Sequence, residues 1–420
     1  MRFSKDRISF SIIGLGGRSR AYLNALKELF AGKFEVSAIA EPDKEKRENA
    51  AKEFDIPSRN VFESDLALME KPRLSDVAVI GTQDGLHYRE AAALIGKGYD
   101  LILEKPISSN INEITSLYEC YKKHPGVTVA VCHVLRYSKF FNKLKEIIDS
   151  ERLGKVVSIA HNENIGYYHY AHSYVRGPWN NSETSGPLIM TKSCHDMDLL
   201  LYLLGDKRAK TISSVGSLSF FCEKNYNAET MAEKCINCPQ KDVCAYSAVR
   251  IYGTKKIKSI VFDMSSVEKI NESLGNNKYG RCVFKCDNNV CDHQSSSILF
   301  DDGVTATFSL SAFTAKVNRS IKIMCEYGEI RGIEKPYIIE TTDFRTDKTT
   351  VIDLDIAEGG HGGADKDFIK TFMDKYVQSL PMESSLDKSI ESHVMALFAE
   401  KSRLNGGQVQ NVEEFMKGIG

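Results

Sequence analysis

The segment TKSCHDMDLLLYLLG, residues 191–205, places Lys192 and His195 where an apolar ladder of helical period begins. An imidazole titrates near neutral pH, so it can take a proton from an alcohol and return it. This segment has three interpretations: a catalytic base, a metal site, or a helix start whose polar residues only cap the helix. Adjacent Cys194, His195 and Asp196 would point in different directions on a helix, which disfavours the metal site.

A glycine-rich turn near the start of the sequence has the surroundings of a dinucleotide-binding fingerprint. An apolar run at residues 8–13 predicts a strand before the turn, and apolar residues at helical period follow it. Gly14 and Gly16 match the fingerprint, while Ser19 stands at its third glycine position. Serine is small enough to keep the helix close to the strand, and the helix N-terminus attracts a pyrophosphate. A plain tight turn is the alternative.

Polar residues at the ends of later apolar runs extend this cofactor site. Glu41 ends the run FEVSAIAE, where a carboxylate can bind the hydroxyls of an adenosine ribose, which favours NAD. Lys44, Lys46 and Arg47 would instead accept the 2′-phosphate of NADP, which is the alternative cofactor. The predicted cofactor-binding residues are Gly14, Gly16, Gly17, Arg18, Ser19, Glu41, Thr82, His87, Glu104 and Lys105.

Strand and helix patterns alternate through the first part of the chain. The runs SDVAVIG, DLILE and GVTVAV are separated by helical patterns, which predicts a doubly wound parallel sheet. Ligands of such a sheet bind at the carboxyl ends of its strands, where Thr82, Lys105 and Arg136 stand. We therefore expect a dinucleotide-binding Rossmann domain over residues 1–135 and a second α/β domain over residues 136–420.

Several segments in a fixed order resemble the Gfo/Idh/MocA oxidoreductases, which are sugar and polyol dehydrogenases. They are the glycine turn, TQDGLH, EKPIS and RYSKFFNKLKEIIDSERLGKVVSI, of which the Glu-Lys-Pro at a strand end is the most specific. The resemblance implies an N-terminal Rossmann domain and a C-terminal α/β domain with a large open, mostly antiparallel sheet. Strand patterns over residues 295–350 agree with that sheet. Its exposed face implies a homo-oligomer, a dimer or a tetramer.

The resemblance also assigns roles to a lysine and a histidine. The family's second domain carries a helix with the pattern D-x-x-x-H-x-x-D, which His195 and Asp198 match and in which Thr191 replaces the first acid. By this correspondence Lys105 positions the substrate hydroxyl and shares its proton, and His195 is the general base or acid. Lys105 and His195 are therefore the predicted catalytic residues.

The segment before that helix is rich in aromatic and basic side chains. Residues 164–190, NIGYYHYAHSYVRGPWNNSETSGPLIM, contain the only tryptophan of the chain. Flat rings can cover the faces of a sugar while basic side chains bond its hydroxyls, and the family uses the equivalent region for substrate. An aromatic loop packed on the sheet is the alternative. The predicted substrate-binding residues are Tyr168, His172, Arg176, Trp179, Lys192 and Arg136.

Closely spaced cysteines form an insert around residues 222–291 of the second domain. Cys235, Cys238 and Cys244 have the spacing C-x2-C-x5-C, and Cys282 is the predicted fourth member. Four thiolates can bind one zinc ion in a tetrahedral site, so we expect a structural zinc. An iron–sulfur cluster also takes four thiolates and is the alternative, as are free thiols.

The charge balance of the chain bears on the partners that it can bind. The 55 basic and 56 acidic residues nearly cancel, and basic runs are missing, which disfavours a nucleic-acid partner. The N-terminal apolar run is too short for a membrane span, so we expect a cytoplasmic protein without a membrane partner. The main hypothesis is an NAD-dependent oxidoreductase that oxidises a secondary hydroxyl of a sugar, polyol or glycoside. The alternatives are a glycosidase that uses bound NAD for transient oxidation and elimination, and a non-catalytic nucleotide-binding regulator.

Overall fold

The first sheet carries the dinucleotide-binding turn. A computed structural model describes residues 7–254, 257, 262–356 and 360–419. Its first six strands are β1 (Ile8–Ile13), β2 (Phe34–Ala40), β3 (Val61–Phe62), β4 (Val77–Ile80), β5 (Asp100–Leu103) and β6 (Val129–Val131). They form a parallel sheet in the order β3-β2-β1-β4-β5-β6, which is the Rossmann order. The central strands β1, β4 and β5 are buried throughout, as expected of strands covered on both faces.

Thirteen α-helices are described, and several of them cover the two sheets. They are α1 (Gly17–Leu29), α2 (Lys44–Glu53), α3 (Asp65–Met69), α4 (His87–Gly96), α5 (Ile111–Lys122), α6 (Lys139–Asp149), α7 (Tyr167–Tyr170), α8 (Leu188–Leu204), α9 (Ala248–Gly253), α10 (Val267–Asn276), α11 (Ala364–Gln378), α12 (Leu386–Leu404) and α13 (Val412–Ile419). A π-helical segment, Ala171–Arg176, continues α7. Among the helices described, none combines the length and apolarity that crossing a bilayer requires.

The second sheet has nine strands and is mostly antiparallel. Its strands are β7 (Val156–Asn164), β8 (Ala209–Ser217), β9 (His293–Phe300), β10 (Thr305–Ser311), β11 (Asn318–Cys325), β12 (Gly328–Ile333), β13 (Ile338–Asp343), β14 (Lys348–Asp353) and β15 (Gln410–Asn411). The order is β14-β13-β12-β11-β7-β10-β9-β8-β15, and only β7 and β10 pair in parallel. Burial alternates along β9, so one face of this strand is covered and the other is open.

Both sheets match the predicted fold class, which is thereby confirmed. One element crosses the expected domain division at residue 135. Helix α11 lies late in the chain, yet the ring of Phe368 packs 5.7 Å from Tyr22 and 5.2 Å from Tyr137, beside the first sheet. By its contacts this helix belongs to the N-terminal core, although it lies in the second part of the chain. The expected division at residue 135 stays a prediction.

Candidate active site

The predicted catalytic lysine reaches the helix that carries the predicted catalytic histidine. Lys105 follows β5, at the carboxyl edge of the first sheet, and its Nζ donates a hydrogen bond to the carbonyl oxygen of Thr191, 2.8 Å away in α8. Thr191 lies one helical turn before His195. The tertiary structure therefore brings Lys105 to the helix of His195, and we call this junction of the first sheet with α8 the cleft.

A second histidine stands between His195 and the C-terminal helix α12. The ring of His133 meets the ring of His195 edge to face at 5.6 Å and that of His393 at 5.4 Å. Burial holds the pKa of His133 well below its ordinary value, and the positive charges of Arg136 and Lys105 add to this. His133 is therefore a neutral neighbour of His195 near pH 7.

Arg136, predicted to bind substrate, is instead occupied by a partner in the protein. Its Nε and Nη2 donate to the two carboxylate oxygens of Asp198 at 2.6 and 2.7 Å. Nη1 donates to the carbonyl of Glu383 at 2.9 Å, and the side chain is buried. Arg136 thus fixes the second acid of the helix pattern, and contact with substrate would require breaking this pair.

Glu104 and Arg18, both predicted to bind cofactor, pair with each other. Arg18 Nε donates to Glu104 at 2.7 Å, and its Nη2 donates to Asp365 of α11 at 2.7 Å. Burial alone would raise the pKa of Glu104, but the charge of Arg18 and the hydrogen bond from Tyr22 outweigh it, so this pKa lies below its usual range. The network holds the Glu-Lys-Pro turn against α1 and α11.

The glycine turn is packed so tightly that side chains are excluded at two positions. Gly14 has a φ of +77°, and a Cβ there would lie 2.8 Å from the carbonyl oxygen of Gly81. A Cβ on Gly81 would lie 2.2 Å from Oγ of Ser19. The serine at the third fingerprint position is therefore accommodated by a glycine at the end of β4, which keeps α1 close to the sheet.

The remaining predicted cofactor residues surround the same strand ends. Glu41 accepts a hydrogen bond from the backbone N–H of Leu15 at 2.6 Å, inside the glycine turn. Nδ1 of His87 lies 2.7 Å from the carbonyl oxygen of Pro106. Thr82 donates to Glu90 at 2.6 Å, and burial raises the pKa of that carboxyl to about 8.

A dinucleotide fits these residues. A Cβ added to Gly17 would meet nothing within 4 Å, and one added to Gly16 only a carbonyl oxygen at 3.7 Å, so space is open in front of the helix. The first turn of α1 holds no acidic residue, which leaves the positive end of the helix dipole available to a pyrophosphate. Glu41 lies at the end of β2, where a ribose is bound in this fold.

The basic residues that would select NADP are engaged elsewhere. Nη1 of Arg47 donates to the carbonyl oxygens of Glu41 and Pro42 at 2.6 and 3.0 Å. Lys46 lies 3.8 Å from Asp43, in an exposed ion pair. Lys44 lies 3.8 Å from Glu48 in a second exposed ion pair, so each of the three cations that would receive a 2′-phosphate contacts the protein itself.

The predicted substrate residues separate into two groups. Trp179 Nε1 donates to Asp84 at 2.9 Å, which places the indole at the carboxyl edge of the first sheet. Lys192 Nζ lies 3.0 Å from Glu163 of β7, and the ring of Tyr168 meets that of Tyr167 at 5.3 Å. Trp179 and Lys192 stay close to the cleft.

His172 and Arg176 face the cysteine insert and not the cleft. The ring of His172 stacks on Tyr279 at 5.0 Å, and its Nδ1 lies 2.6 Å from the hydroxyl of Tyr252. Arg176 is completely buried and donates to the carbonyl of Arg281 at 2.7 Å. The structure therefore does not bring these two residues together with Lys105 and His195.

The four cysteines predicted to bind metal line one cavity of about 230 Å³. In the described part of the chain, no group of three or more His, Cys, Asp or Glu side chains is arranged to hold a metal ion. The spacing therefore identified cysteines that share a cavity, but they are not closed around a single ion.

A buried ion network that includes Asp196 of α8 was not predicted from the sequence. Arg319 of β11 lies 2.7 Å from both Asp196 and Glu163, and His161 lies 2.8 Å from Asp196. These residues come from three distant segments, and no local pattern marks their pairing. His133, by contrast, lies two residues after β6, so its place near a strand end was a usable signal.

Two curated oxidoreductases are similar in sequence to this chain. The oxidoreductase YteT of Bacillus subtilis is 26% identical over 375 residues, which cover 84% of this chain and 86% of that protein. The scyllo-inositol 2-dehydrogenase (NADP(+)) IolW of the same organism is 23% identical over 227 residues, covering 54% of this chain and 58% of that protein.

A solved structure of levoglucosan dehydrogenase, in complex with NADH and levoglucosan, covers 97% of this chain and 100% of its own, with a TM-score of 0.70. At 15% identity, this likeness shows the fold alone.

Two family models together match most of the chain. Residues 8–133 match the model described as an oxidoreductase family with an NAD-binding Rossmann fold. Residues 145–392 match the model of the C-terminal alpha/beta domain of the same oxidoreductase family. The protein therefore belongs to the Gfo/Idh/MocA family of oxidoreductases, and its N-terminal domain is the NAD-binding Rossmann domain of that family.

Proposed function

We propose that this oxidoreductase oxidises a secondary hydroxyl of a sugar, polyol or glycoside. The observation that carries the proposal is the hydrogen bond of 2.8 Å from Lys105 Nζ to Thr191, which joins the Glu-Lys-Pro turn to the helix of His195. When bound, the nicotinamide supplies the hydride acceptor. Relatives that act on inositol support a polyhydroxylated substrate.

In this proposal the chain's own residues bind the hydroxyl and move its proton. Lys105 donates a hydrogen bond to the substrate oxygen and holds it beside His195. The His195 imidazole accepts the hydroxyl proton as the hydride leaves carbon, and it returns that proton in the reverse direction. Neutral His133 packs against the ring of His195 and adds no competing positive charge.

NAD is the proposed cofactor because a carboxylate, Glu41, stands at the end of β2 and the neighbouring Arg47 is held by backbone carbonyls. A ribose hydroxyl can donate a hydrogen bond to this carboxylate, whereas the negative charge of a 2′-phosphate would be repelled by it. Direct titration should therefore give tighter binding of NAD than of NADP.

The test follows reduced nicotinamide in absorbance while NAD and fractionated pools of sugars, polyols and glycosides are added. Lys105→Ala and His195→Ala should each lower kcat by about 10²–10⁴-fold, the usual contribution of a general acid–base group. NAD affinity, measured by calorimetry, should change little. Lys143→Ala and His124→Ala remove residues of the same types from partly exposed positions elsewhere in the chain and serve as controls.

Other outcomes would replace the proposal. Turnover retained in Lys105→Ala or His195→Ala would remove that residue from the mechanism. Release of reducing sugar without net formation of reduced nicotinamide would indicate the glycosidase that regenerates its NAD. Tight NAD binding without turnover of any pool would favour the nucleotide-binding regulator.

A further inference from the structure

The cysteine-lined cavity lies in the insert, away from the residues assigned to proton transfer. Cys235, Cys238 and Cys244 come from one loop, and Cys282 comes from a second segment of the chain. An isolated β-bridge between Lys234 and Arg281 ties these segments together next to the cysteines. The backbone N–H of Cys282 also donates to the carbonyl of Glu233 at 2.7 Å. The four thiols are thus held at one place by backbone contacts.

The arrangement of the cavity favours an occupant larger than a single ion. In a zinc site four sulfurs lie about 2.3 Å from the metal, so they close tightly around it. Here no such group exists among the described side chains. The cavity measures about 230 Å³, whereas a water molecule needs only about 10–15 Å³. An occupant that binds thiolates and is larger than one ion fits this space.

Arg176 supplies a positive charge that the protein does not neutralise. It lines the cavity, is completely buried, and its Nη2 lies 3.6 Å from Sγ of Cys235. Its remaining hydrogen bonds go to the carbonyls of Arg281 and Tyr246, and Nη1 has no hydrogen-bond partner in the described chain. None of the residues that line the cavity, all of them described, is acidic.

A buried cation of this kind is stable only beside an anion. The anion that would neutralise Arg176 has to bind the cysteines, fit a space larger than one ion and carry net negative charge together with its thiolates. A cubane of iron and sulfide meets all three conditions. We propose that Cys235, Cys238, Cys244 and Cys282 bind a [4Fe–4S] cluster, with Arg176 as its buried counter-cation.

The cluster has a structural role in this proposal, and no electron transfer is assigned to it. Arg176 ends the π-helical segment Ala171–Arg176, only a few residues before Trp179. Binding of the cluster joins the two segments of the insert and anchors Arg176 between them. The cluster thereby stabilises the base of the aromatic loop near the cleft. This inference does not depend on the proposed substrate.

The test uses the full chain, expressed with added iron and purified without oxygen. Iron and acid-labile sulfide should each amount to about four per chain, with a broad visible absorption band that bleaches on reduction with dithionite. Cys238→Ser should lose most of the iron and the band. Cys222→Ser is the matched control, because Cys222 belongs to the same insert but does not line the cavity.

Three results would overturn the proposal. One is a colourless protein that holds about one zinc ion per chain. Another is a protein that holds no metal after anaerobic reconstitution with ferrous iron and sulfide. The third is an equal loss of iron in Cys222→Ser and Cys238→Ser. The first two are measured on the unmodified chain, so the test stands even if Cys238→Ser fails to fold.

Discussion

The cleft and the cysteine-lined cavity both bury an arginine, but they neutralise it differently. In the cleft, Arg136 is paired in bidentate geometry with Asp198. Arg18 nearby is paired with Glu104 and Asp365. In the cavity, Arg176 contacts backbone carbonyls and a thiol, and it forms no ion pair with a carboxylate of the described chain.

This difference separates two kinds of buried charge. A cation with its own carboxylate completes a protein network that holds neighbouring elements in place. For a cation without one, the cluster proposal has a group from outside the chain supply the anion. The comparison therefore predicts that the two arginines respond differently to the same substitution.

The largest effect is expected for Arg136→Met, which leaves the buried carboxylate of Asp198 without its partner. Breaking one side of a buried pair costs about 3–5 kcal/mol, so the free energy of unfolding should fall by that amount. Urea unfolding of the metal-free protein measures it.

Arg176→Met is the matched control, because it exposes no unpaired carboxylate. It removes two hydrogen bonds to carbonyls, at about 0.5–1.5 kcal/mol each, so the metal-free protein should lose much less stability than Arg136→Met. Equal losses in the two variants would contradict the comparison.

An intermediate effect is expected at the glycine turn, which is tightly packed, whereas the cysteine-lined cavity leaves space between its side chains. Gly81→Ala places a Cβ 2.2 Å from Oγ of Ser19, so stability should fall by about 1–3 kcal/mol and the NAD dissociation constant should rise. Ser19→Gly in the same chain removes the clashing hydroxyl. A double-mutant cycle should therefore show rescue, and strictly additive losses would mean that the two residues do not meet.

The smallest effect concerns Glu90, a buried acid whose pKa is raised to about 8 by burial. Between the ordinary carboxyl pKa and pH 8, the folded state binds a proton that the unfolded state has lost. Stability should therefore fall as pH rises through this window, by about 1 kcal/mol per pH unit. Glu90→Gln should flatten the dependence measured by urea unfolding at several pH values. If the dependence of the unfolding free energy on pH is unchanged in this variant, another group causes it.

Local patterns were sufficient for the elements of the fold. Alternating strands and helices, with glycines at Gly14 and Gly16, predicted the parallel sheet that the structure confirms. The Glu-Lys-Pro turn and the helix pattern around His195 carried the family resemblance, which implied which residues could act on a hydroxyl. These signals work because the period of apolar residues and the conformational needs of a tight turn are local properties.

Side-chain partners could not be predicted in the same way. Arg136 and Arg176 were both expected at the substrate, yet one pairs with Asp198 and the other enters the cysteine-lined cavity. Each partner lies far away in the sequence, so periodicity carries no information about it. The structure likewise shows why a serine fits at the third fingerprint position: Gly81, which faces Ser19, has no side chain.

The sequence by itself determined the class of sheet, the place of the dinucleotide turn and the residue types available for proton transfer. Only the tertiary structure decided that Lys105 reaches the helix of His195, that Arg18 pairs with Glu104, and that four cysteines line one cavity. The physical reason is that secondary structure follows from neighbouring residues. The pairing of buried charges depends on which distant segments the packed core brings together.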